Sequence, residues 1–200
     1  TGLWGDLCVE NRGVGHFTVV ATGQRAHSGM ASAQADLTTR LIQARDRLVK
    51  LAGEYLTLQA QDGWKSQIRF PFFQVGLPGV YNITPDYGQL GVEFRMIPQD
   101  RPREMLAAFA VYSQENSLEI LDLLLEEGIA CDPDNPYLAR LVKGVTIAKG
   151  SAPLISKKLA GTSARFAPGG NGVVWGQSGI GPHARDERHY IPSILPYYQS

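Results

Sequence analysis

The sequence predicts an α/β protein, in which a β-α-β-β-α-β unit is followed by part of a second α/β layer. Three observations favour this fold class. Runs rich in β-branched residues alternate with segments whose apolar residues recur every three or four positions. Clusters of glycine and proline separate these runs. After Gly128 the helices and strands are joined by longer glycine-rich loops, which indicates a second structural part.

The first part occupies about residues 14–127 and contains six predicted elements. Helices are expected over 32–51, where leucines recur at helical spacing, and over 102–113, where Pro102 fits the first turn. Strands are expected over 15–23, 66–75, 89–97 and 117–126. The last of these contains an apolar run that also fits a helix. The order of the six elements is that of the ferredoxin-like fold.

The second part comprises residues 1–13 and 128–200. Helices are predicted from a start at 134–136 to about 149 and at 191–198, and strands at 153–155 and 173–175. Roughly seventy residues are too few to close a doubly wound domain. We therefore expect this part to be an incomplete α/β layer.

The composition is that of an ordinary globular chain: 200 residues, 44% apolar, 19% charged, with a net charge of zero. Lys and Arg are scattered, which argues against a nucleic-acid partner, and no apolar run is long enough to cross a membrane. The two cysteines, Cys8 and Cys131, lack metal-site spacing, so reduced thiols are expected. The first residues lack the regions of a signal peptide, and a cytoplasmic location is expected.

A histidine lies in a glycine-bounded loop, residues 23–29, between the first predicted strand and helix. His27 could donate a hydrogen bond to a developing oxyanion or to a substrate carbonyl. Alternatively, the loop is a helix-capping turn in which Ser28 or Ser32 is the cap and His27 is merely exposed.

Two polar residues lie before and within the strand predicted at 89–97. Asn82, in the preceding turn, could offer its amide to a substrate. Arg95 could hold a carboxylate through two parallel hydrogen bonds. The alternative is a turn asparagine and a surface arginine.

The run Gly161-Thr162-Ser163, followed by Arg165, predicts an anion site. A turn of small residues at a helix start exposes backbone N–H groups, and Arg165 would add a positive charge there. A simple capped helix fits the same residues.

His183 lies in a Gly-Pro loop after a short apolar run, where it is well placed to be a metal ligand. The carboxylate of Glu187 could orient its ring without touching the metal. One histidine cannot hold a catalytic metal, because such sites need about three protein ligands. The alternative is a loop histidine with a helix-capping glutamate.

Together these segments resemble a family of metal-dependent exopeptidases and amidohydrolases. Its members include acetylornithine deacetylase, succinyl-diaminopimelate desuccinylase, N-acetyl-lysine deacetylase and glutamate carboxypeptidase. Six motifs occur in the family's order across almost the whole chain. They are Arg12-Gly13 before a strand, residues 23–29 as G-x-x-A-H-S-G, residues 82–86 as N-x-x-P-D, Arg95 with Pro98, residues 161–165, and His183 with Glu187.

The resemblance implies a two-domain enzyme. Residues 14–127 would be a lid that also mediates dimerisation, and residues 1–13 and 128–200 would be the closing part of the catalytic domain. The intact enzyme would hold two divalent metal ions, with zinc expected and cobalt or manganese as alternatives. It would hydrolyse the amide bond of a small N-acyl amino acid or short peptide with metal-activated water.

The resemblance also implies roles for individual residues. His183 would bind one metal. His27 would act in the active site of the partner subunit of a homodimer and polarise the scissile carbonyl. The residues that would hold the substrate are Asn82, Arg95, Gly161, Thr162 and Arg165.

The chain departs from the family pattern in two ways. The remaining metal ligands, including His-x-Asp and Glu-Glu motifs, precede the lid in the family, so this chain is expected to be a fragment that is inactive alone. The aspartate that usually follows Ser163 is missing, which shifts the register after the loop. The alternative interpretation is a non-catalytic ferredoxin-like dimerisation or binding module.

Overall fold

The computed structural model describes residues 5–32, 36–181 and 184–200. The strands are β1 (Asp6–Asn11), β2 (Val14–Thr22), β3 (Gln67–Arg69), β4 (Phe73–Val75), β5 (Tyr87–Arg95), β6 (Leu118–Glu126), β7 (Ile129–Ala130), β8 (Leu154–Lys158), β9 (Gly179–Ile180) and β10 (Arg188–His189). The α-helices are α1 (Leu37–Tyr55), α2 (Pro102–Glu115), α3 (Pro136–Lys149) and α4 (Ile194–Gln199).

The chain divides into two compact units. The inserted unit is Val14–Glu127, and the flanking unit combines residues 1–13 with 128–200. The inserted unit contains an antiparallel sheet in the order β3-β5-β2-β6, with β4 also paired to β5. Two helices alternate with these strands along the chain, which confirms the predicted α/β class and the ferredoxin-like order.

The core of the inserted unit lies between this sheet and its two helices. Phe17 is central, with its ring centroid 6.3 Å from that of Phe94 and 5.7 Å from that of Phe109. Each is at most 2% exposed, and full burial of such a side chain is worth about 1.5–3 kcal/mol. Helix α1 contributes a buried face made of Leu37, Leu41, Ala44, Leu48, Leu51 and Ala52.

The predicted start of the first helix is wrong. Ser32 is not helical; α1 begins at Leu37, because Asp36 caps it by accepting the backbone N–H of Thr39 at 3.0 Å. Residues 33–35 of the predicted range lie outside the described residues. The prediction of one strand at 66–75 is also wrong: Pro71 cannot donate to a sheet ladder and separates β3 from β4.

The apolar run near the end of the inserted unit is a strand and not a helix. β6 pairs with β2 at the edge of the sheet. Its register shifts opposite His16 and Thr18, where Asp122 has a φ of 54°, as expected for a bulge.

The flanking unit contains a three-stranded sheet in the order β7-β1-β8. β1 is parallel to β8 and antiparallel to β7, and the sequence pattern did not predict it. Helix α3 begins at its asparagine cap, Asn135, and ends at Gly150, whose φ is 77°. The buried core of this unit is formed by Leu7, Cys131, Leu138 and Val145.

Two predictions for the flanking unit are corrected. Residues 173–175 do not form a strand; Val174 makes an isolated bridge with Cys8. The helix predicted at 191–198 is a single 3₁₀ turn, Ile191–Ser193, followed by α4. Both cysteines are buried and free, as predicted. In the described parts of the chain, no helix has the length and apolar character needed to cross a bilayer.

Candidate functional site

The loop of His27 is hydrogen-bonded to the turn of Asn82 in the inserted unit. The backbone N–H of Ser28 donates to the carbonyl oxygen of Asn82 at 3.0 Å. The N–H of Thr84 donates to the carbonyl of Ala26 at 2.8 Å. The structure therefore brings together two of the predicted site residues.

The hydroxyl of Thr84 strengthens this connection. Its Oγ1 accepts the backbone N–H of Ala26 at 3.0 Å and lies 3.2 Å from the carbonyl oxygens of Gln24 and Ala26. The hydroxyl of Thr84 thus both accepts a hydrogen bond from the His27 loop and can donate one to it. This arrangement fixes the path of the chain that leads to His27.

The exposed imidazole of His27 accepts the backbone N–H of Gly29 at Nδ1, over 3.2 Å. A neutral imidazole that accepts at Nδ1 carries its proton on Nε2. His27 can therefore donate a hydrogen bond outward from Nε2, which is the chemistry that polarises a carbonyl. Among the described residues, the cap of the short turn Ser28–Met30 is His27 itself and the cap of α1 is Asp36, so neither helix has a serine cap.

Arg95 lies at the opposite end of β5 from the turn of Asn82. Eight residue steps separate Tyr87 from Arg95, which is about 25 Å at the usual rise of a strand. The guanidinium Nε of Arg95 pairs with the carboxylate of Glu93 on the same strand. Within one inserted unit, Arg95 is therefore too distant to share a small ligand with His27.

In the flanking unit, Thr162 begins the loop that follows the carboxyl end of β8. It caps a one-turn 3₁₀ helix, Ser163–Phe166, by accepting the backbone N–H of Ala164 at 3.3 Å. Its Oγ1 also lies 2.6 Å from Nδ2 of Asn11, at the carboxyl end of β1. The predicted capped helix is thus present, but it is only a single 3₁₀ turn.

The neighbours of Thr162 shape the same loop. Nη1 of Arg165 donates to the carbonyl oxygen of Thr162 at 2.8 Å, and its guanidinium carbon lies 4.6 Å from the ring centroid of Phe166. A Cβ atom at Gly161 would lie 3.3 Å from the carbonyl oxygen of Arg12, closer than most such contacts. Arg165 therefore stabilises the loop, and Gly161 allows its close approach to the end of β1.

A cavity of about 540 Å³ lies beside this loop. Trp175 and Tyr197 form one wall, with ring centroids 4.7 Å apart. Lys158 contributes the positive charge, and none of the described lining residues is acidic. The lining comprises Lys158, Thr162, Ser163, Ala164, Val173, Val174, Trp175, Gly176, Gln177 and Tyr197.

Cys8 lies against the same region through its bridge to Val174. Burial raises the pKa of its thiol, while the positive charge of Lys158 and a backbone hydrogen bond at Glu10 oppose the rise. Cys8 is therefore a protonated, buried thiol at neutral pH rather than a nucleophile.

The predicted metal ligand, His183, lies outside the described residues. Glu187 is described, and its backbone N–H donates to the carbonyl of Ala184 at 3.2 Å. Across residues 5–32, 36–181 and 184–200, no group of three or more His, Cys, Asp or Glu side chains could hold a metal ion. The described residues alone do not fit a dinuclear metal centre.

Asn11 is a site residue that the sequence motifs did not identify. A polar residue at the alternating position after Leu7 and Val9 is a signal for an inward-facing polar group at a strand end. That signal has meaning only once β1 is known to be a strand, and β1 was not predicted.

Solved structures with the same fold come from peptidases and amidases. Aminopeptidase PepT from Bacillus cereus is 15% identical, with a TM-score of 0.67 over 99% of this chain and 52% of that one. A tripeptidase from Staphylococcus aureus is 16% identical, with a TM-score of 0.69 over 100% of this chain and 52% of that one.

An amidase of the hydantoinase/carbamoylase family from Burkholderia phymatum is 18% identical, with a TM-score of 0.50 over 80% of this chain and 40% of that one. No family model and no curated protein sequence matches the chain. The chain spans about half the length of the two peptidases, and what it shares with all three proteins is their fold.

Proposed function

We propose that this chain is part of a metal-dependent hydrolase that cleaves the amide bond of an N-acyl amino acid or a short peptide. The observation that carries the proposal is the fold that the whole chain shares with an aminopeptidase and a tripeptidase. The pairing of His27 with the turn of Asn82 supports it, because two residues far apart in the sequence are held together with a donor available on Nε2.

The inserted unit is the proposed lid and dimerisation domain, and the chain is proposed to act as a homodimer. The distance of about 25 Å between the two ends of β5 supports a dimer. His27 and Asn82 would serve the active site of one subunit, and Arg95 would serve the other. Exposed aromatic side chains at the β4 edge of the sheet, Phe72 and Phe73, give a partner apolar surface to cover.

In the flanking unit, Gly161, Thr162 and Arg165 are proposed to form the substrate-binding loop, with Thr162 at the carboxyl edge of the parallel strands β1 and β8. His183 is the proposed metal ligand. The two metal ions, with zinc, cobalt or manganese as candidates, would need ligands beyond the described residues. The roles proposed for the described residues are therefore to bind the substrate and to polarise its carbonyl.

The proposal is tested by comparing the 200-residue chain with the same chain extended by whatever residues its gene encodes upstream of Thr1. We expect the extended chain to bind divalent metal and to hydrolyse N-acyl amino acids, and the short chain to do neither. In the active form, His27→Ala should lower kcat by about two orders of magnitude, as expected for an oxyanion donor. His16→Ala, which changes another exposed histidine, is the matched control.

Hydrolysis by the 200 residues alone would contradict the assignment of missing ligands. Equal kcat values for His27→Ala and His16→Ala would show that His27 does not act in the active site.

A second candidate function is a non-catalytic dimerisation or binding module. The ferredoxin-like element order of the inserted unit, which packs around a core of its own, supports it. Under this hypothesis, His183→Ala changes neither the metal content nor the ligand affinity of the longer protein. A loss of bound metal in that variant would rule the module out.

A further inference from the structure

Asn11 lies at the carboxyl end of β1, next to the loop of Thr162. Its side chain is only 1% exposed. In the parallel register, Asn11 lies opposite Lys158, the last residue of β8. These residues therefore share the edge of the sheet where α/β proteins bind ligands.

The hydroxyl of Thr162 already accepts two hydrogen bonds. One comes from Nδ2 of Asn11 at 2.6 Å and the other from the backbone N–H of Ala164 at 3.3 Å. A hydroxyl oxygen has two lone pairs and one proton. Because both lone pairs are used, the proton of Thr162 can only be donated to a further acceptor.

The orientation of the Asn11 amide follows from the same count of hydrogen-bond donors and acceptors. With Nδ2 toward Thr162, the orphaned atom is Oδ1, which has no hydrogen-bond partner among the described residues. The opposite orientation would orphan a buried NH₂ group. Buried N–H groups without partners are rarer than buried carbonyl oxygens without partners, so the first orientation is favoured.

The residues that line the cavity beside Thr162 indicate which chemical group would accept this proton. Lys158 brings a positive charge, Trp175 and Val173 bring apolar surface, and none of the described lining residues carries a negative charge. Its volume of about 540 Å³ suits a small molecule. A carboxylate attached to an apolar body fits this lining best.

We propose that Asn11 is a positioning residue, which fixes the Thr162 hydroxyl as a hydrogen-bond donor to the carboxylate of an N-acyl amino acid with an apolar side chain. The inference rests on the proposed function, because it names the ligand of the loop assigned to substrate binding. Asn11 itself does not contact the ligand; it acts only through Thr162.

The first test measures the affinity of the 200-residue chain for N-acetyl-L-leucine by calorimetry and NMR titration. Thr162→Val should weaken binding about 10- to 100-fold, the worth of a hydrogen bond to a charged group. Thr162→Ser, the matched control, keeps the hydroxyl and should bind within about twofold of wild type. N-acetyl-L-leucinamide, which lacks the carboxylate, should bind weakly and equally to all three proteins.

The second test uses Asn11→Asp to separate positioning from packing. A protonated carboxyl at this position donates to Thr162 as the amide does, whereas an ionised one accepts the Thr162 proton and withdraws it from the ligand. Burial raises the pKa of a carboxyl and the positive charge of Lys158, opposite position 11 in the register, lowers it, so the pKa of the introduced carboxyl is first measured by NMR titration. We expect near-wild-type affinity below that pKa and about tenfold weaker binding above it, with a flat wild-type profile over the same range.

Equal affinity of Asn11→Asp below and above the pKa of the introduced carboxyl would overturn the inference, because the hydrogen bond between residue 11 and Thr162 would then not control whether the hydroxyl donates to the ligand. Failure of wild type to bind the acid, or full binding by Thr162→Val, would also overturn it. None of these measurements needs turnover. If the proposed function alone is wrong, ligand binding persists and the longer protein shows no hydrolysis.

Discussion

The backbone N–H of Ser28 donates to the carbonyl oxygen of Asn82 at 3.0 Å, so main-chain atoms hold the His27 loop against its neighbouring turn. The connection does not depend on the imidazole or on the amide side chain. Both can therefore be replaced without removing the bond that aligns them, which makes this pair suited to mutational tests of function.

Thr84→Val should loosen the His27 loop. The valine has nearly the shape of threonine but cannot accept the N–H of Ala26, and the loss of such a bond costs about 1 kcal/mol. We expect hydrogen exchange at the Ala26 N–H to become about fivefold faster, as measured by NMR. Thr84→Ser should exchange like wild type. Unchanged exchange in the valine variant would show that the hydroxyl does not hold the loop.

Asp36→Ala should destabilise the inserted unit by about 1 kcal/mol, because it removes the cap of α1. Urea unfolding measures this change. Asp46→Ala is the control, since Asp46 lies within the helix and forms an exposed ion pair with Arg45, which is worth at most a few tenths of a kcal/mol. Equal effects of the two substitutions would refute the capping role.

The same cap should depend on pH. Hydrogen bonds from the side chain and then the backbone of Thr39 lower the pKa of Asp36 below its ordinary value. The stabilisation is therefore present above the unfolded pKa of about 3.9 and is lost as the pH falls through the lower folded value. Asp36→Asn keeps a cap that does not titrate, so its stability relative to wild type should rise at low pH.

Gly15→Ala should destabilise the inserted unit by about 1–3 kcal/mol. A Cβ atom at Gly15 would overlap the fully buried ring of Phe94, which has no free space to move into. Gly53→Ala is the control, because a Cβ there meets nothing within 4 Å and alanine is the better helix former by about 1 kcal/mol. The two substitutions should shift the urea midpoint in opposite directions; a shift in the same direction would contradict the packing.

Cys8 should react slowly with alkylating reagents in the folded chain. It is 8% exposed, and burial raises the pKa of its thiol, so less thiolate forms at a given alkaline pH than in the unfolded chain. Mass spectrometry after a timed exposure to iodoacetamide checks this, with the urea-unfolded chain as the reference. Equal rates in the folded and unfolded chain would show that the sheet opens freely around β1.

Elements with a clear hydrophobic period could be predicted from the sequence. Helix α2 and strand β2 lie almost where their periods indicate. The start of α1 could not be predicted, because residues of capping type occur at both Ser32 and Asp36 and only the packing of Leu37 selects the second. β1 is short and depends on pairing with β8, which lies more than a hundred residues later, so local pattern carried little information.

The candidate site was predictable where motifs mark it and not where tertiary contacts build it. The motifs identified His27 and Asn82, but their alignment depends on Thr84, whose hydroxyl has no sequence signature. Asn11 became visible only through its contact with Thr162, a residue brought near by the parallel pairing of β1 with β8.

The bulge at Asp122 also affects how the chain behaves at high concentration. β6 is an edge strand with exposed Leu121 and Leu123, a combination that invites a neighbouring chain to add its own strand. The bend at Asp122 divides the free edge into two segments, each too short to template a long ladder. The leucine-rich edge should therefore resist growth into fibrils, and straightening it would create that hazard.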